Sequence, residues 1–91
     1  MANAFEKLTV GAAASGLTAG ILGKCGRARI YIEGADIRYT LDGTTPVGAT
    51  TGLKILATNT FEVVGAASLA ALKWIRDAGV DATAQVQYFS N

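Results

Sequence analysis

The chain contains no histidine, one cysteine and one proline among its 91 residues. Without histidine it lacks the commonest general base and the commonest metal ligand. Ser15, Ser68 and Ser90 therefore have no imidazole to activate them as nucleophiles. A single cysteine, Cys25, makes neither an internal disulfide nor a thiolate zinc cage. Charge is scarce as well: 8 basic and 7 acidic side chains give a net charge of +1. A nucleic-acid binder usually shows a marked basic excess, so that class is disfavoured. No apolar run approaches the ~18 residues of a membrane-spanning helix. The start, Met1–Val10, is interrupted by Glu6 and Lys7 before any apolar stretch, so no secretory signal is expected. With its lone cysteine, the chain reads as made in a reducing cytosol. These absences point to a binding or building part without a cofactor rather than to an enzyme.

What is present points to a folded domain. Hydrophobic residues make up 51 % of the chain, seventeen of them alanine, alongside 11 glycines and 10 threonines. Disordered chains are richer in charge and poorer in apolar residues. At 91 residues one domain is expected, and at 16 % charge part of its surface is expected to be covered by another chain. Cys25 reads either as a thiol made reactive by Lys24 and Arg27 or as a small buried hydrophobe, and the second reading is favoured.

Residues 1–26 form a Gly/Ala-rich N-terminal part, an arm or the first strands, with Gly11–Gly16 as the one candidate linker. From Arg27 the pattern has period two. Ala28, Ile30 and Ile32 alternate with Arg27, Arg29, Tyr31 and Glu33. After Gly34-Ala35, Ile37, Tyr39 and Leu41 alternate with Asp36, Arg38 and Thr40. The Asp42-Gly43 pair and Pro46 mark a turn. Gly34-Ala35 allows two geometries: a tight hairpin setting Tyr31 opposite Arg38, or a crossing into a second sheet. Further strands are read at Leu53–Ala57, Phe61–Val64 and Ala82–Phe89. Ser68–Gly79 is helical in local pattern, with Leu69, Leu72 and Ile75 as a stripe. A helical turn at Ser68–Ala71 followed by a strand through Arg76 is expected. About seven short strands with turn signals every 8–12 residues predict an all-β fold, a small immunoglobulin-like or jelly-roll-like sandwich.

Three groups of residues are weighed for function. Arg27, Arg29 and Arg38 are read as sharing a face beside Tyr31, either a contact for a carboxylate, phosphate or neighbouring subunit or a solvated face. Asp36 and Asp42 are too few for a cation site and read as solvated strand and turn residues. Trp74 is a core residue before it is a sugar-stacking platform. The terminal strand is nearly free of charge, with Gln85, Gln87 and Phe89 on one side, and reads as an edge that a neighbour must cover. The expected interface is therefore Arg27, Arg29, Tyr31, Arg38, Gln85, Gln87 and Phe89.

The stretch Ala35–Pro46 resembles the I-x-Y-T-x-D-G-T-x-P signature of chitobiase C-terminal-type, immunoglobulin-like modules, matched by Ile37, Tyr39, Thr40, Asp42, Gly43, Thr44 and Pro46. More of the chain is similar to small virion proteins of tailed bacteriophages. Lys7–Val10, Ile37–Pro46, Leu69–Arg76 and Ala82–Phe89 match their layout, while Gly20–Gly26 departs from it. That resemblance implies a strand at Leu72–Arg76 and a non-enzymatic capsid decoration or cement protein, located in the virion and assembled in the bacterial host cytoplasm. It implies the major capsid protein or other virion proteins as partners, with self-association as a dimer or trimer. A tail, neck or fibre component is the alternative within the virion. A carbohydrate-binding accessory module is the alternative outside it.

Overall fold

The computed structural model describes residues 4–18, 25–48 and 50–89. Seven strands and one short helix follow each other as β1 (Ala4–Val10), β2 (Arg27–Glu33), β3 (Ile37–Thr40), β4 (Leu53–Ile55), β5 (Thr60–Val64), α1 (Ala66–Ala71), β6 (Lys73–Arg76) and β7 (Ala82–Phe89). They form two antiparallel sheets, β1-β7-β2-β5 and β4-β3-β6. The expected all-β sandwich with one helical turn is what the chain adopts. Residues 4–10 are a full strand, so this part of the N-terminal region is not a free arm. Most of Gly20–Gly26 lies outside the described residues.

Alternation builds the interior. In β2, Ala28, Ile30 and Ile32 are fully buried, and in β7 Ala82, Ala84, Val86 and Tyr88 are buried in step. From the smaller sheet come Ile37 and Trp74, both at 0 % exposure, while Leu69 of α1 and Leu72 fill the space beside them. Cys25 is buried, as its small-hydrophobe reading anticipated. The Trp74 indole N–H is buried with no hydrogen-bond partner among the described residues, a cost of about 1–3 kcal/mol that its apolar contacts must exceed.

The two geometries left open at Gly34-Ala35 resolve as a crossing. Gly34 takes φ 88°, a left-handed conformation that glycine adopts at little cost, and the chain passes from β2 in one sheet to β3 in the other. The helix begins at Ala66, two residues earlier than expected, because Gly65 rather than Ser68 stands at its start. It stops at Leu72, whose extended ψ of 129° hands the chain to β6. Tertiary pairing keeps Lys73–Arg76 extended, since β6 bonds to β3 on one side. On its other side lies the supposed linker. Ser15 N donates to Trp74 O (3.0 Å), Trp74 N to Ser15 O (2.8 Å) and Arg76 N to Gly11 O (3.1 Å). A Cβ on Gly16 would sit 2.7 Å from Leu72 O, so only glycine permits this approach. Gly11–Gly16 is thus a pinned flank of the sandwich, not a linker.

A polar cluster borders the core at its margin. Glu6 shares the inward parity of Ala4, Leu8 and Val10, and its carboxylate accepts hydrogen bonds from the Tyr88 hydroxyl and from Thr18. Burial, then the hydrogen bond and charge of Glu6, push the Tyr88 hydroxyl well above its ordinary range. A raised pKa means the folded state holds its proton while the unfolded chain ionises near pH 10, so this contribution is intact below pH 10 and lost above it. Unfolding free energy should therefore fall above pH 10 with a Tyr88 contribution approaching about 1.4 kcal/mol per pH unit. Denaturant titrations at pH 9 to 11.5 check this against Tyr88→Phe, in which that part of the slope should be missing.

Candidate interaction surface

The register of the larger sheet decides which outward side chains meet. Pairing sets Arg27 opposite Phe89, Arg29 opposite Gln87 and Tyr31 opposite Gln85. Six of the seven expected interface residues therefore share one face. The seventh, Arg38, does not. It lies on the smaller sheet, where its Nε is 2.7 Å from Asp77 Oδ1 and its Nη1 donates to Gly52 O at 3.1 Å. The shared-face reading continued the strand alternation past Gly34-Ala35, but the crossing there puts β3, and Arg38 with it, in the other sheet.

Two further strands complete the face. From β1, Phe5 stands opposite Gln87 and Lys7 opposite Gln85. From β5, Val64 stands opposite Arg27 and Glu62 opposite Arg29. One half of the face thus gathers Phe5 (57 % exposed), Val64 (66 % exposed) and Phe89 around two guanidiniums. The Arg27 guanidinium carbon sits 4.6 Å from the centre of the Phe89 ring, a cation–π contact. Glu62 Oε2 lies 3.9 Å from Arg27 Nε and 3.7 Å from Arg29 Nη2. All three are well exposed, so these pairs orient the side chains and add little stability. Gln85 Nε2 donates to Glu33 at 2.8 Å and Gln87 Nε2 to Ala4 O at 3.0 Å, which fixes both amides. Phe5, Glu62 and Val64 were missed in the sequence. The alternation of Phe5, Lys7 and Thr9 against Ala4, Leu8 and Val10 carried the signal for Phe5, but nothing local indicated which strand it would join.

The edge reading of the terminal strand is overturned. β7 lies between β1 and β2 and is bonded on both sides. Its uncharged outward residues are half-buried between neighbours of the same chain, which is why it carries so little charge.

The other weighed residues fall elsewhere. Asp36 accepts from Ala57 N at 2.8 Å and lies 3.9 Å from Lys54, so it anchors the segment after β4. Asp42 closes its turn by accepting from Thr44 N at 3.0 Å, with Gly43 at φ 85° and Pro46 buried behind it. Hydrogen bonds from the Thr44 side chain and then its backbone hold the Asp42 carboxyl below its ordinary value. This turn borders an open groove of about 560 Å³ lined by Tyr39, Leu41, Gly52 and Leu53. Tyr39 stacks on Phe61 across the two sheets at 4.6 Å. Trp74 is fully buried and offers no platform for a sugar.

Removing the residues after Gln85 takes Val86 and Tyr88 out of the core and leaves Ala4–Glu6 of β1 and Arg27–Ile30 of β2 without their β7 partners. The truncated chain should fail to fold, read as loss of the cooperative melting transition in circular dichroism. A contact made through this face must therefore be probed by point substitutions at Phe5, Arg27 or Arg29.

Comparison with known proteins gives no match: no family model, no curated protein and no solved structure matches this chain.

Proposed function

We propose that the chain is a non-enzymatic structural protein of a tailed-bacteriophage virion, a decoration or cement subunit that seats on the major capsid protein through the outer face of its four-stranded sheet. The observation that carries this reading is the cluster of Phe5, Phe89 and Val64 around Arg27 and Arg29 on that face. Aromatic residues and arginine are the types enriched in protein interfaces and in their energetic centres. The face rests on a buried core, and its Gln85 and Gln87 amides are held by hydrogen bonds, which lowers the ordering that binding has to impose. The chain's resemblance in layout to small phage virion proteins supplies the setting. The apolar members would supply most of the contact free energy, and the arginines would orient the subunit on an acidic region of the shell.

The test is binding of the purified chain to capsid shells stripped of it, at low and high salt. Wild type should bind at a stoichiometry matching the capsid protein, and Phe5→Ser should weaken binding about tenfold or more at either salt. Arg27→Ser with Arg29→Ser should weaken it at low salt and flatten its salt dependence. Absence of the chain from purified particles by mass spectrometry contradicts the virion reading. Presence at a copy number matching a tail component contradicts the capsid assignment.

A further inference from the structure

The two flanks of the sandwich are not finished alike. On one, β6 is covered by residues 11–15 through the hydrogen bonds of Ser15 and Gly11. On the other, the four-residue connection 56–59 sets the outer strand of one sheet, β4, beside the outer strand of the other, β5. β5 pairs with β2 on its inner side, and no described strand pairs with its outer side.

The hydrogen-bond pattern identifies the open groups. Gly65 N donates to Gly26 O at 2.7 Å and Ile32 N donates to Asn59 O at 3.0 Å. Antiparallel ladders alternate, so Phe61 and Val63 turn their backbone groups to β2, while Thr60, Glu62 and Val64 present N–H and C=O outward. Native edges are usually blunted by lysine, proline or a bulge. Thr60–Val64 contains no lysine or proline, its one charge is Glu62, and its valines and threonine favour extended pairing. Thr58 and Asn59 both oppose Ile32 in a bulge that ends just before the strand. Exposed apolar side chains flank it, Val64 at 66 %, Leu53 at 61 % and Leu56 at 52 %.

We propose that β5 pairs antiparallel with β5 of a second copy across a two-fold axis, joining the two four-stranded sheets into one. A second copy is the fitting occupant because the edge is self-complementary. Outward-facing groups sit only at 60, 62 and 64, so any two-fold register bonds these positions to one another. The register with Glu62 opposite itself would bring like charges together. The register with Glu62 opposite Val64 of the second copy avoids this and brings the two Val63 residues face to face. It yields the row Arg29, Glu62, then Val64 and Arg27 of the second copy, which places the acid between guanidiniums of both chains. The contact is isologous and closes at two copies. It leaves Phe5 and Phe89 of each copy exposed. Val64, Arg27 and Arg29 belong to both contacts, but self-association is measured without any shell, so its outcome is read separately from the capsid reading.

The test is sedimentation equilibrium of the full chain over a range of concentrations, with two substitutions at Val64. Val64→Pro removes an outward N–H without touching the β2 ladder, and the residue before it is already extended. Val64→Glu keeps every backbone group and sets a like charge opposite Glu62 of the second copy. Wild type should be a reversible dimer. Each variant should raise the dimer dissociation constant at least tenfold while its circular dichroism spectrum stays that of the wild type. A wild-type chain that stays monomeric at every concentration overturns the proposal. So does a dimer that Val64→Glu leaves intact.

Discussion

The pairing of the last strand between the first and second is the constraint on which the rest of the structure depends. Val10 meets Ala82 at one end of the β1–β7 ladder and Ala4 meets Tyr88 at the other, while β2 meets Thr83 to Phe89 from the opposite side. Because side chains alternate with period two, that register puts Ala82, Ala84, Val86 and Tyr88 into the interior. The same register lifts Gln85, Gln87 and Phe89 onto the outer face. A slip by one residue would exchange the two sets, exposing the core and burying the amides. Glu6 reinforces the ladder from inside: accepting from the Tyr88 hydroxyl, it ties β1 to β7 by side chain as well as backbone.

Much of this architecture was legible in the sequence, and what was not has a common cause. The strands at Arg27–Glu33 and Ala82–Phe89 stood out because each has one buried and one outward face, which writes a period of two into the residues. The helical turn before Lys73 was visible in Ser68–Ala71, although Gly65 moved its start. What a strand's own residues do not encode is its neighbour. The low charge of Gln85, Gln87 and Phe89 was real, but β1 and β2 of the same chain account for it, not an absent partner. Arg38 failed similarly: its parity was read correctly within β3, and the sheet change at Gly34 moved it away from Arg27 and Arg29. The Glu6–Tyr88–Thr18 cluster joins residues more than eighty positions apart at its widest, and its only local trace is an acid at an inward position of β1.

The two surfaces of interest follow from the same sheet. Its outer face collects aromatic, aliphatic and arginine side chains from all four strands, which no single segment contains. Its β5 edge exists because, among the described strands, β5 pairs with β2 alone, which leaves a β-branched strand outermost. The smaller sheet has a different character. Arg38 and Lys54 both converge on Asp77, at 2.7 and 3.3 Å, so its outer face is occupied by internal ion pairs rather than presented for contact.

The central place of β7 is tested most directly by native-state hydrogen exchange resolved residue by residue. A strand bonded on both sides protects consecutive amides, whereas an edge strand protects only alternate ones. Amides from Thr83 to Tyr88 should all exchange slowly, at or near the rate set by global unfolding. Alternating fast and slow exchange along that stretch would place β7 at an edge and contradict the register on which the interior and the outer face are built.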